Sequence, residues 1–177
     1  MGYSYASDDA PVMCFNGAKS YQTGWYSSKT TEVSAGDCFE QDLYGISDYG
    51  NSASSHVLVK LNTGSSTDYY ITFNRRAGIN SQTQEASNLV TITSAGGEGN
   101  SYSESTLLAK LNAGGTWSRS IDGVPMRVTV LSTPGSEYAR VRIAPDGVTS
   151  CGPQPTTNPT PMPTPLPTKA PLVREWN

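Results

Sequence analysis

The sequence predicts a mainly β protein: an antiparallel β-sandwich preceded by one short helix and followed by a disordered Pro/Thr-rich tail. Three observations carry that expectation. Between residues 33 and 146, short runs of β-branched, aliphatic and aromatic residues recur about every ten residues, separated by Gly, Asn and Ser clusters. Polarity comes from hydroxyls, since Ser and Thr number 42 while charged residues make up only 15%, a balance that suits exposed sheet faces. From Pro153 to Pro171 the chain turns to Pro and Thr, which offers few backbone donors and little to bury.

The elements follow in order. Asp8-Asp9-Ala10-Pro11 reads as a helix start, with an Asp cap and Pro in the first turn. The helix is expected to run over 12–23, with Gly24 as its C-terminal cap and Trp25-Tyr26 packing back. Val12, Phe15 and Trp25 share one face. Such a short, Gly-interrupted helix needs a surface to dock on. Strands are expected at Val57–Leu61, Tyr69–Phe73, Leu89–Thr93, around Gly115–Ser118, at Met126–Leu131 and at Tyr138–Ile143. Leu107–Leu111 reads as a strand or a short helical turn. In the last strand Ala139, Val141 and Ile143 face one side, and Arg140 and Arg142 the other.

Composition excludes several function classes. Twelve Lys+Arg against fifteen Asp+Glu give a net charge of −3, which is no footprint for nucleic acid. No apolar run approaches the roughly 20 residues of a membrane helix, so no transmembrane segment is expected. Met1-Gly2-Tyr3 lacks a basic start and an apolar stretch, so no signal peptide is expected there, and Ala6 argues against myristoylation. The extended Pro/Thr segment reads first as a tether, with SH3- or WW-type recognition or O-glycosylation as the functional alternatives.

The single histidine and three dispersed cysteines limit the chemistry. Cys14, Cys38 and Cys151 have no C-x-x-C spacing, so a conventional zinc centre is not expected from these residues. In an oxidising compartment they allow one disulfide and one leftover thiol. Cys14–Cys38, tying the helix to the β part, is the favoured pairing; Cys38–Cys151, clipping the end of the β domain, is the alternative. Asp37, Glu40, Asp42 and Asp48 offer oxygens for calcium, but off the EF-hand spacing, so a solvated loop is the default. Arg75-Arg76 and Arg140/Arg142 are weighed as grips for acidic polymers against ordinary strand-edge solvation. Trp117 and Tyr102 are weighed as sugar-stacking aromatics against core or turn packing. His56 reads as a hydrogen-bonded or exposed strand residue, and no Asn-x-Ser/Thr sequon is present.

The first 26 residues, above all Met1-Gly2-Tyr3, Cys14-Phe15-Asn16-Gly17-Ala18-Lys19 and Gly24-Trp25-Tyr26, resemble the stretch after the active-site helix in the gametolysin family. These are secreted zinc metalloendopeptidases of the metzincin type that digest cell-wall and matrix glycoproteins. Phe73-Asn74-Arg75, Gly78-Ile79-Asn80-Ser81 and Asn88–Ile92 are similar to the family's β-rich C-terminal part. The resemblance spans roughly residues 1–145. It implies three parts: 1–32 as the remnant of the catalytic domain, 33–146 as a β-sandwich domain, and 147–177 as a linker or tail.

The resemblance further implies Met1 as the methionine of the turn beneath the metal, and Tyr3, two residues on, as a residue able to reach zinc. In the family the motif H-E-x-x-H-x-x-G-x-x-H lies upstream of that turn and supplies three zinc histidines and a general-base Glu. It has no counterpart in this sequence. Zinc therefore belongs to the intact family enzyme, no cofactor is expected for this chain, and a catalytic segment is expected upstream. Two readings follow. One is the C-terminal portion of a gametolysin-like enzyme, inactive as it stands. The other is a non-catalytic extracellular module binding matrix glycoprotein or polysaccharide. Both place the chain outside the cell or on its surface. Without the catalytic half-domain, Val12, Phe15 and Trp25 are expected to leave an exposed apolar patch.

Overall fold

Two β-sheets packed face to face, with one helix laid across the outside, make up the computed structural model, which describes residues 14–51, 55–96 and 104–152. Nine strands form in chain order: β1 Thr30–Val33, β2 Phe39–Tyr44, β3 Leu58–Leu61, β4 Thr67–Asn74, β5 Leu89–Gly96, β6 Ser105–Leu111, β7 Thr116–Ile121, β8 Val124–Ser132 and β9 Tyr138–Pro145. A five-stranded sheet has the order β1-β3-β4-β5-β6, and a four-stranded sheet the order β2-β9-β8-β7. The expected sandwich is therefore the observed one, with one departure. β1 and β3 pair in parallel, Thr30 opposite Leu58, and all other strand pairings are antiparallel.

Alternation builds the core. Val59, Leu61, Ile71, Phe73, Val90 and Ile92 from one sheet meet Phe39, Leu43, Val128, Val130, Val141 and Ile143 from the other, all buried. On β9, Ala139, Val141 and Ile143 point inward as the sequence predicts, and the two arginines point out. Two strands escaped the sequence reading, β1 and β2. Glu40 and Asp42 are poor strand residues taken alone, but they sit directly opposite Arg142 and Arg140 on β9. β7 extends to Ile121 and turns through Asp122-Gly123, both at positive φ, straight into β8, as a two-residue type I′ hairpin requires.

One helix, α1, spans Gly17–Thr23. It is shorter than predicted because Cys14–Asn16 are not helical, so 12–23 is not one continuous helix. Asn16 is the N-cap, its side chain accepting from the Lys19 amide at 3.1 Å. Gly24, at φ 70°, ends the helix as expected. Gly17 lies against the five-stranded sheet so closely that an added Cβ would stand 2.9 Å from Thr72 Cγ2. The boundary drawn at residue 32/33 falls inside β1.

The favoured disulfide is corrected. Cys38 joins Cys151, with Cα atoms 5.5 Å apart, and Cys14 is a free, half-buried thiol. The reason is topological: β2 runs beside β9, which brings the residue before β2 next to the chain leaving β9. The Cys151 amide also donates to Glu40 Oε2 at 3.3 Å. The Pro/Thr-rich tail beyond Gly152 lies outside the described residues. Among the described residues, no helix is long and apolar enough to cross a membrane.

Candidate functional site

The reversal at Gly24 folds Trp25 back onto Phe15, so the two residues that bracket α1 stack on each other. Their ring centroids are 5.4 Å apart at an interplanar angle of 21°. Yet Trp25 is 63% exposed and Phe15 40%. Next along the chain, Tyr26 meets Tyr49 edge-on at 5.2 Å, and Tyr49 is itself 54% exposed. Ile79 is 55% exposed and neighbours Asn80, whose Oδ1 accepts from the Cys14 amide at 2.8 Å. Large apolar side chains are thus exposed both on the residues flanking α1 and on two loops. Large apolar side chains gathered in water mark a contact surface more often than chance.

The two loops are tied to each other. Arg75 Nη1 stands 2.6 Å from Asp48 Oδ1, and Gly45 is packed so tightly that a Cβ would lie 2.5 Å from Arg75 Cβ. Beside them the Cys14 thiol is pushed up, by burial first and by the Asp48 charge second. It is held protonated, so it is not an activated nucleophile.

The predicted acidic cluster does not converge. Asp37 Oδ2 caps a turn by accepting from the Ser34 amide at 2.8 Å. Glu40 and Asp42 lie along the outer face of the four-stranded sheet. There Asp42 pairs with Arg140 at 3.1 Å, and Glu40 with Arg142 at 3.7 Å and Arg140 at 3.9 Å. Arg142 also bonds the Thr149 carbonyl, and Arg76 Nε donates to the Ser81 carbonyl at 2.9 Å. Arg75, Arg140 and Arg142 are paired with carboxylates within the fold, and Arg76 is tied to a carbonyl, which does not suit a grip on acidic polymers. Trp117 packs against the core, edge-on to Tyr69 at 5.0 Å, as the packing reading of that residue has it. Tyr102 lies outside the described residues.

His56 is half-buried, edge-on to Phe39 at 5.4 Å, with Nδ1 at 2.8 Å from the Thr31 hydroxyl. Burial lowers its pKa from the ordinary value, against a weaker upward pull from Asp42. Among the described residues, no three His, Cys, Asp or Glu side chains converge as a metal-binding group. The described residues therefore do not fit the zinc that the resemblance implies. Met1 and Tyr3, the turn methionine and the zinc-reaching tyrosine of that resemblance, lie outside the described residues, as does Val12.

Sequence reasoning missed a polar floor beneath α1. Lys60 and Asp68 form a buried pair at 3.2 Å, with the ammonium 5.1 Å above the Tyr21 ring. Burial works against the Lys60 charge, but the Asp68 hydrogen bond and charge more than offset it and hold the ammonium above its ordinary pKa. Tyr21 Oη donates to Glu32 Oε1 at 2.7 Å. Tyr70 is fully buried and its hydroxyl has no hydrogen-bond partner. Its pKa is pushed up, by burial first and by the Asp68 charge second. No run of sequence announces this row, because it forms only when Glu32, Lys60 and Tyr70 come side by side on β1, β3 and β4.

No protein-family model matches the chain, and neither a curated protein nor a solved structure is significantly similar to it.

Proposed function

We propose that this chain is a non-catalytic, extracellular β module that binds the sugar chains of cell-wall or matrix glycoprotein, and that it forms the C-terminal portion of a secreted protein resembling the gametolysin family. The observation that carries the reading is the exposed Phe15–Trp25 stack. A sugar ring presents a face of polarised C–H groups, which suits the electron-rich face of an aromatic ring while the hydroxyls stay hydrated. The Cys38–Cys151 bridge supports an oxidising, extracellular setting. The family link rests on the motifs of the first 26 residues and of the β-rich part.

Equilibrium pull-down on insoluble matrix glycoprotein, intact and enzymatically deglycosylated, tests the binding. Saturable retention by the intact material, lost on deglycosylation and lost at least tenfold in Trp25→Ala, is expected. Equal retention by both materials would point to a protein partner instead. A casein assay with added zinc tests the non-catalytic reading, and hydrolysis proportional to bound zinc would overturn it.

A further inference from the structure

We propose that α1 is a detachable strap across the outer face of the five-stranded sheet, and that its release uncovers a preformed row of polar side chains beside a small apolar cluster, without unfolding the sandwich. This rests on the packing of α1 alone and not on the reading of the chain as a matrix-binding module.

The strap is buckled at both edges of the sheet. At one end Asn16 Nδ2 donates to Ser105 Oγ of the edge strand β6 at 3.0 Å, and at the other Tyr21 Oη donates to Glu32 of the edge strand β1. Each such bond is a small net stabiliser. Between the buckles the contact is small: of the residues α1 buries, Gly17, Ala18 and Ser20, only Ala18 brings an apolar side chain, into a cluster with Val57, Leu58, Tyr70 and Ala95, and the Tyr21 ring lies 5.4 Å from Tyr70.

Beneath it, beside that small apolar cluster, lies a row of polar side chains. Lys60, Asp68, Tyr70, Thr72 and Thr93 are all buried there. Their own bonds stay within the sheet: Lys60 to Asp68, Thr72 to Thr91 at 3.0 Å, and Thr93 Oγ1 to the Tyr70 carbonyl at 3.5 Å. Lifting α1 breaks none of these. It does release a group that burial leaves without a partner, the Tyr70 hydroxyl. An unsatisfied buried hydroxyl carries its full desolvation cost, so the floor itself works against the strap. The core between the sheets shares no residue with the small cluster under α1, so the sandwich keeps its packing when the strap opens. The hinge is Gly24, already in the left-handed conformation.

Hydrogen exchange on the full chain, read by mass spectrometry, tests this with two variants that push in opposite directions. In the unmodified chain the α1 amides are expected to exchange at least tenfold faster than those of β4 and β5. Tyr70→Phe keeps the shape and deletes the orphan hydroxyl, and it is expected to slow α1 exchange at least about fivefold. Gly17→Ala improves intrinsic helix propensity but sets a Cβ 2.9 Å from Thr72 Cγ2 and 3.2 Å from Tyr70 Cβ. It is expected to speed α1 exchange at least about fivefold, since overpacking a close contact undocks it. α1 exchanging at the β4–β5 rate, or unchanged in Tyr70→Phe, would overturn the proposal.

Discussion

Replacing both Cys38 and Cys151 by serine removes a cross-link that closes a span of 113 residues. For a loop of that length the chain-entropy relation gives about 16 cal/mol/K, or about 4.8 kcal/mol at 25 °C. In the native state the pair sits where the four-stranded sheet would otherwise fray, holding the start of β2 to the exit of β9. The double serine variant keeps the Cys151 amide bond to Glu40 and the Glu40–Arg142 pair, so the native structure should survive while the unfolded chain gains freedom. At about 2–5 °C per kcal/mol for a domain of this size, the melting temperature should fall by about 10–24 °C. Urea unfolding followed by tryptophan fluorescence, without reductant, measures the difference. A non-reducing peptide map is the companion assay. A loss under about 1 kcal/mol, or a peptide linking Cys14 to Cys38, would refute the reasoning.

Three further outcomes follow from the geometry. Gly45→Ala should cost about 1–3 kcal/mol in urea unfolding, because its Cβ would meet Arg75 Cβ at 2.5 Å and Asp48 Oδ2 at 2.9 Å. Its backbone is ordinary extended chain, with φ −66°, so a neutral result would show that the Asp48–Arg75 loop yields. Trp25→Ala should change stability by less than about 0.5 kcal/mol, as for an exposed surface site, while reducing matrix retention. His56 should make stability pH-dependent. Burial lowers its folded pKa, so the unfolded chain takes up the proton first. The stabilisation is complete above about 6.5, the unfolded value, and is lost as pH falls through the lower folded value. The urea midpoint of the unmodified chain should therefore drop relative to His56→Gln between pH 7.5 and 5; parallel curves would contradict this.

The strands that announce themselves are those whose alternation is self-contained. β9 shows its inner and outer faces in six residues, and β4, β5 and β8 carry enough Val, Ile and Tyr to read alone. β2 does not, because Glu40 and Asp42 become acceptable in a strand only through Arg142 and Arg140, which arrive about a hundred residues later. The Asp122-Gly123 turn, by contrast, carries a strong hairpin signal in its two residues alone.

The site divides in the same way. Phe15 and Trp25 are legible, with Val12, as apolar residues on one face of the expected helix 12–23, but not as the pair that brackets a shorter α1. Tyr49 and Ile79 are exposed on loops whose neighbours Asp48, Arg75 and Asn80 are tied by contacts from distant parts of the chain. The disulfide partner is a matter of strand order, since three cysteines leave three pairings and only the β2–β9 neighbourhood selects one. The start of α1 is not legible, because Asp8-Asp9-Ala10-Pro11 carries the stronger capping signal in the sequence while Asn16 is the residue that caps α1.

The most direct test of the account is a binding isotherm of the disulfide-intact chain on insoluble matrix glycoprotein, run beside the double variant Phe15→Ala/Trp25→Ala. The account predicts saturable binding that falls at least tenfold when the stacked pair is removed, with the unfolding curve unchanged. Binding of equal strength by the double variant, or no binding by the unmodified chain, would contradict it.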